Sequence, residues 1–180
     1  MNSMSRYYYK NDCDPCKEDF DPCKHHYDPC KSEKIAATII KCGCPSSTTI
    51  PATTVASGTR FTIASLTIDT CHLKHPCIKL EFASNPVADA GFTGTLSLQV
   101  FKQCGNQITP TPIGPTWSLA VPASTNQTFS FFVCDCDCSC FSGCCTYTVI
   151  ATVTLDTTGN LSINNAMLGA IVTSGADPLC

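Results

Sequence analysis

Charge is scarce in this sequence. Asp, Glu, Lys and Arg make up 14% of 180 residues, and the net charge is −3. No basic stripe exists to track phosphates, which argues against nucleic-acid binding. No apolar run approaches the 18 residues of a membrane span. The first residues, MNSMSRYYYKNDCDPC, lack an apolar stretch and a small-residue cleavage site, so they do not read as a secretory signal. Glutamates number three (Glu18, Glu33, Glu81), so paired-carboxylate chemistry has little to work with. No Ser/His/Asp signature and no Gly-rich phosphate loop occurs, and the chain does not read as an enzyme. The histidines His72 and His75 flank Cys71 and Cys77 in a predicted loop. Solvated histidines in a loop closed by a disulfide account for that arrangement better than a catalytic Cys–His pair, which needs a lowered thiol pKa.

Cysteine, by contrast, is abundant, with sixteen residues. That is a disulfide-scaffold frequency, yet a chain this long can bury a core without staples. The cysteines therefore serve something beyond making a monomer fold. Disulfides persist outside the cytosol, and no export signal is evident. Three resolutions are open: thiols that bind metal in the cytosol, export by another route, or synthesis in a cell that later lyses with oxidation then, as for spore-coat material. The third fits the rest of the sequence best.

The sequence divides near residue 34. Residues 1–34 hold thirteen of the twenty-five charges and repeat Asp14-Pro15-Cys16-Lys17, Asp21-Pro22-Cys23-Lys24 and Asp28-Pro29-Cys30-Lys31. A proline in every seven-residue period forbids a continuous helix, and with almost no aliphatic residues the segment cannot build a core. It reads as an extended arm presenting Cys13, Cys16, Cys23 and Cys30. Seven extended residues span roughly 23–25 Å, so successive thiols can reach different neighbours.

Residues 35–180 read as all-β. Thr59–Ile68 places Phe61, Ile63 and Ser65 on one face, Ile78, Leu80 and Phe82 alternate inward, and so do Leu96, Leu98 and Val100. Runs at 128–133 and 146–155 continue the pattern, and 161–163 and 170–173 read as short edge strands. Turn signals separate the runs at Pro45, Gly58, Asn85-Pro86, Gly105, Pro110–Pro115, Pro122, Gly143 and Gly159. About eight strands at this spacing predict a β-sandwich, immunoglobulin-like or jelly-roll in type.

The densest chemistry is Cys134, Cys136, Cys138 and Cys140, followed by Cys144 and Cys145. A strand running over 129–140 would point the first four to one face. Alternate residues of a strand are roughly 6.5–7 Å apart, too far for easy bridging, so such thiols bond to other strands or other chains. A thiolate metal site, for zinc or copper, is the rival reading. Cys13, Cys16, Cys23 and Cys30 match the first four ligand spacings of a fungal binuclear zinc cluster, but the two remaining positions, near Glu33 and Ile40, are not cysteine. No cofactor or metal is expected. Cys42, Cys44, Cys71, Cys77, Cys104, Cys134, Cys136, Cys138, Cys140, Cys144 and Cys145 are candidates for structural disulfides or cross-links. Cys180, at the last position, is grouped with the arm cysteines as an intermolecular candidate.

The stretches Ile39–Gly43, Cys77–Asn85, Phe92–Cys104, Phe129–Asp137 and Cys144–Val149 resemble a cysteine-rich family of unknown function from spore-forming clostridia, over roughly residues 35–155. A cysteine-bearing arm before a Thr-rich sandwich is also similar in architecture to the endospore-appendage pilins of bacilli. That resemblance implies jelly-roll domains that pair edge to edge and arms that bond covalently to preceding subunits. The expectation is a jelly-roll-like β-sandwich with an extended N-terminal arm. It would be a structural subunit that self-assembles into a fibre or layer on the endospore surface, a helical filament being favoured over a sheet. Its partners would be further copies of itself and other spore-surface proteins, with no nucleic acid and no membrane.

Overall fold

A computed structural model describes residues 38–70, 73, 76–105, 107–136 and 144–174. The arm with its repeats, and Cys71, Cys138, Cys140 and Cys180, lie outside the described residues.

Nine strands form two antiparallel sheets: β1 (Thr38–Cys42), β2 (Ser46–Ile50), β3 (Arg60–Asp69), β4 (Pro76–Ala88), β5 (Thr93–Cys104), β6 (Thr111–Leu119), β7 (Phe129–Asp135), β8 (Cys144–Thr158) and β9 (Leu161–Ser174). One sheet has the order β1-β9-β4-β7, with β2 also on β9, and the other the order β3-β8-β5-β6. β1 pairs with residues 169–173 of β9 and β2 with residues 161–166, so the two act as one interrupted edge strand. Counted that way, eight strands are wound into two four-stranded layers, the jelly-roll arrangement.

The alternating residues supply the core. Leu96, Leu98 and Val100 from β5 and Tyr147, Val149, Ala151 and Val153 from β8 meet Ile78, Leu80 and Phe82 from β4 across the sandwich. Strict alternation breaks where a strand bulges. In β3 the register slips between Thr62 and Ala64. Beyond Ile63 the buried residues are Ala64, Leu66 and Ile68, and Ser65 is exposed, not inward as its spacing from Phe61 predicts. In β9 an extra residue is accommodated at Asn165, and both β2 and β4 shift register against it. Asn165 has φ 51°, a left-handed conformation that asparagine tolerates better than most residues. The buried set changes there from Leu161 and Ile163 to Ala166, Leu168, Ala170 and Val172.

Three expectations are corrected. Residues 161–163 and 170–173 are not separate edge strands. They belong to one strand, β9, lying between the β1/β2 edge and β4. Asn85-Pro86 makes no turn but continues β4. The Pro110–Pro115 run is mostly strand β6, whose edge position tolerates Pro112 and Pro115 because the missing N–H groups break no interior ladder.

Candidate functional site: exposed thiols on one sheet face

The sulfur chemistry is sorted by face. On β5 and β8, Cys104 and Cys145 stand directly opposite each other, point inward with their buried neighbours, and are joined by a disulfide. Their Cα atoms are 4.0 Å apart. Cys77 of β4 and Cys136, just past β7, form the second bridge, with Cα atoms 4.2 Å apart. In this pair Cys77 is half-buried and Cys136 exposed. Cys77 thus bonds to Cys136, not across its own loop to Cys71. Cys42, Cys44, Cys134 and Cys144 are free, exposed thiols.

Alternation carries Phe132 and Cys134 of β7 to the outer face, while Phe131, Val133 and Asp135 turn inward. Register then fixes two adjacent rows across that face. Ile40, Ile171, Lys79 and Cys134 form one, and Cys42, Gly169, Glu81 and Phe132 form the next. Cys42 and Cys134 therefore sit on one face at its two opposite edges. Gly169 and Ala83 contribute little bulk between them. They leave a depression of about 460 Å³, bounded by Cys42, Met167, Glu81 and Phe132.

Apolar groups are prominent here, with Ile40 73% and Phe132 62% exposed. An ion pair on the face, Lys79 Nζ to Glu81 Oε1 at 2.6 Å, lies beside Phe132, whose ring centroid is 5.4 Å from the ammonium. The hydrogen bond and charge of Glu81 hold the Lys79 ammonium above its ordinary range, and Cys134 adds to that against a small loss of hydration.

Beneath Cys134 and Cys136 a buried polar link joins the sheets. Asp135 Oδ2 lies 2.7 Å from Lys102 Nζ and accepts a hydrogen bond of 2.7 Å from Tyr147 Oη. Lys102 and Asp135 side chains are 6% and 5% exposed. Sequence reasoning missed this link, although a signal existed. Lys102 continues the inward positions 96, 98 and 100, and Asp135 continues 131 and 133. A charged residue in inward phase on each of two strands is a candidate pair.

Trp117 lies on the edge strand β6, half-buried, and stacks on Phe131 with centroids 4.0 Å apart. With Gly114, Pro115 and Val133 these rings line a second groove, of about 640 Å³, along the β6/β7 side. Among the described residues no group of three His, Cys, Asp or Glu side chains could hold a metal ion.

No curated protein matches the chain in sequence. Similar solved structures include that of infectious bursal disease virus Gt strain, at 8% identity and TM-score 0.46 over 77% of this chain. The chain spans 38% of the length of that viral protein. Eiger TNF from S. frugiperda is similar at 9% identity and TM-score 0.42, over 79% of this chain and 98% of its own. A structure titled for carbohydrate-binding modules of the beta-sandwich superfamily is similar at 5% identity and TM-score 0.31, over 72% and 55% of the two chains. Residues 36–173 match the family described as a domain of unknown function, DUF4489, and the chain belongs to that family.

Proposed function

We propose that this chain is a structural subunit that self-assembles into a disulfide-cross-linked fibre or layer on the surface of an endospore. Edge strands pair between copies, and the cysteine-bearing N-terminal arm locks neighbours covalently. A helical filament is the favoured form, since a head-to-tail contact that does not close into a ring propagates.

The observation that carries this reading is the placement of the thiols. Cys104 and Cys145 are spent inside the fold, whereas Cys42, Cys44, Cys134 and Cys144 are free on its surface. A surface thiol at a strand edge is positioned for a bond outside its own sandwich. Two of them flank an apolar outer face, of the kind that marks an interaction surface. The spore setting rests on the resemblance to clostridial cysteine-rich proteins and on the need for an oxidising environment.

The test is free-thiol labelling with mass spectrometry on material isolated without reductant. Cross-linked multimers that collapse to 19.2 kDa on reduction are expected. Replacing Cys13, Cys16, Cys23 and Cys30 with Ser should leave the sandwich folded and the assembly weak. A monomer whose thiols are free, or protected by stoichiometric metal, would overturn the reading in favour of thiolate metal binding.

A further inference from the structure

The strands carrying Cys42 and Cys134 are complementary to each other. β1 is exposed along its entire length, including Ile39 and Ile40, although it lies in a sheet. β7 ends the same sheet on the far side, contains no proline, and bears Phe132 and Cys134 outward. Among the described residues no strand lies beyond either edge, and edges rich in β-branched and aromatic residues are templates for pairing with another chain.

Direction and register both allow the pairing. β1, β9, β4 and β7 are successively antiparallel. A second copy displaced sideways across the sheet therefore brings its β1 antiparallel to the first copy's β7. Continuing the existing rows would place Cys134 opposite Ile40 of the second copy. Cys42 would then be the diagonal neighbour of Cys134, at about 7–8 Å. A shift of two residues sets the two cysteines directly opposite and turns no side chain to the other face. Directly opposed cysteines on adjacent antiparallel strands are the arrangement this chain already bonds on β5 and β8. Within one copy, three strand spacings separate Cys42 from Cys134, about 14 Å, beyond the reach of a disulfide.

We propose that β7 of one copy pairs with β1 of the next and that a Cys134–Cys42 disulfide seals the contact. This deepens the assembling-subunit reading and rests on it. In forming the bond each thiol gives up its proton and the two sulfurs join. The two electrons reduce a small-molecule disulfide, such as oxidised glutathione, to two thiols. Each copy offers both halves, so the contact is heterologous and open-ended.

The test uses reduced full-length chain oxidised with oxidised glutathione, digested without reductant and mapped by mass spectrometry. A peptide pair joining Cys42 to Cys134 is expected in the multimers. Cys42→Ser alone and Cys134→Ser alone should each abolish it. Mixing the two variants should restore it, because one supplies Cys134 and the other Cys42. Multimers in which Cys42 and Cys134 remain thiols, carry glutathione or bond elsewhere would overturn this pairing while leaving self-assembly standing. The absence of multimers under every oxidising condition would bring down both. The wild-type map needs no variant, so a misfolded substitution does not obscure the result.

Discussion

Lys102 and Tyr147 stand directly opposite each other on β5 and β8, and both close on the same oxygen of Asp135 from the facing sheet, each at 2.7 Å. The contact is the only ion pair between the two sheets among the described residues. It lies one residue from exposed Cys134 on one side and Cys136 on the other.

Removing one member of this buried pair takes from the other its close counter-charge. Lys102→Ala or Asp135→Ala should each lower stability by about 3–5 kcal/mol, while Lys102→Met combined with Asp135→Leu should cost much less. Urea unfolding of the three variants under oxidising conditions measures the difference.

The two bridges should part company under mild reductant. Attack on a disulfide requires access. Cys77–Cys136 reaches the surface, whereas Cys104 and Cys145 are 2% and 3% exposed. Timed alkylation with mass spectrometry should find Cys77 and Cys136 labelled first, with Cys104 and Cys145 protected until the fold opens. Cys104→Ala with Cys145→Ala should then cost about 2–4 kcal/mol.

Phe132 is exposed and contributes little to the monomer. Phe132→Ser should change stability by less than about 0.5 kcal/mol. It should weaken association, and sedimentation of reduced wild type and variant at matched concentrations reads the effect.

Gly159 turns β8 into β9 with φ 72°, and a Cβ there would collide with the backbone of Gly91 and Phe92. The turn is tied down by Asp89, which accepts hydrogen bonds from the Asn160 backbone and side chain at 3.1 and 3.0 Å. A left-handed conformation alone costs an L residue about 1–2 kcal/mol. Gly159→Ala should exceed that cost in thermal melts.

Lys79 gives the outer face a pH dependence only at its alkaline end. Its pKa is raised above 10.5 by Glu81. With Glu81 ionised, the stabilisation from the pair is therefore fully present below 10.5 and is lost as pH rises through the folded value of Lys79. The stability difference between wild type and Lys79→Gln should stay flat through neutral pH and shrink above that point.

The sandwich was legible because inward residues alternate so cleanly in Cys77–Phe82 and Leu96–Val100. The sequence is less informative where backbone geometry interrupts the period. The bulges at Ile63 and Asn165 shift the inward set without any change in composition, so Ser65 and the extent of β9 were misread. Pro86, Pro112 and Pro115 carry the same local signal whether they end a strand or lie within one. For the site, alternation alone placed Cys134 and Cys136 on one face. Their relation to Cys42 and Cys77 depends on which strands are neighbours, information that no local pattern contains. The Lys102–Asp135 contact was half visible, since each residue sits in inward phase, but only the folding of β5 over β7 makes them partners.

The bulge at Asn165 also has a bearing on sulfur. β1 takes its register from the part of β9 beyond it, where Gly169 faces outward opposite both Cys42 and Glu81. Were β9 to run through Asn165 as a regular strand with every residue kept, the phase of everything that follows in it would reverse. Leu168, Ala170 and Val172 would then compete for solvent, and Cys42 would turn toward the interior. The valency of the subunit, meaning how many covalent links it can offer and in which direction, is in this sense set by an asparagine.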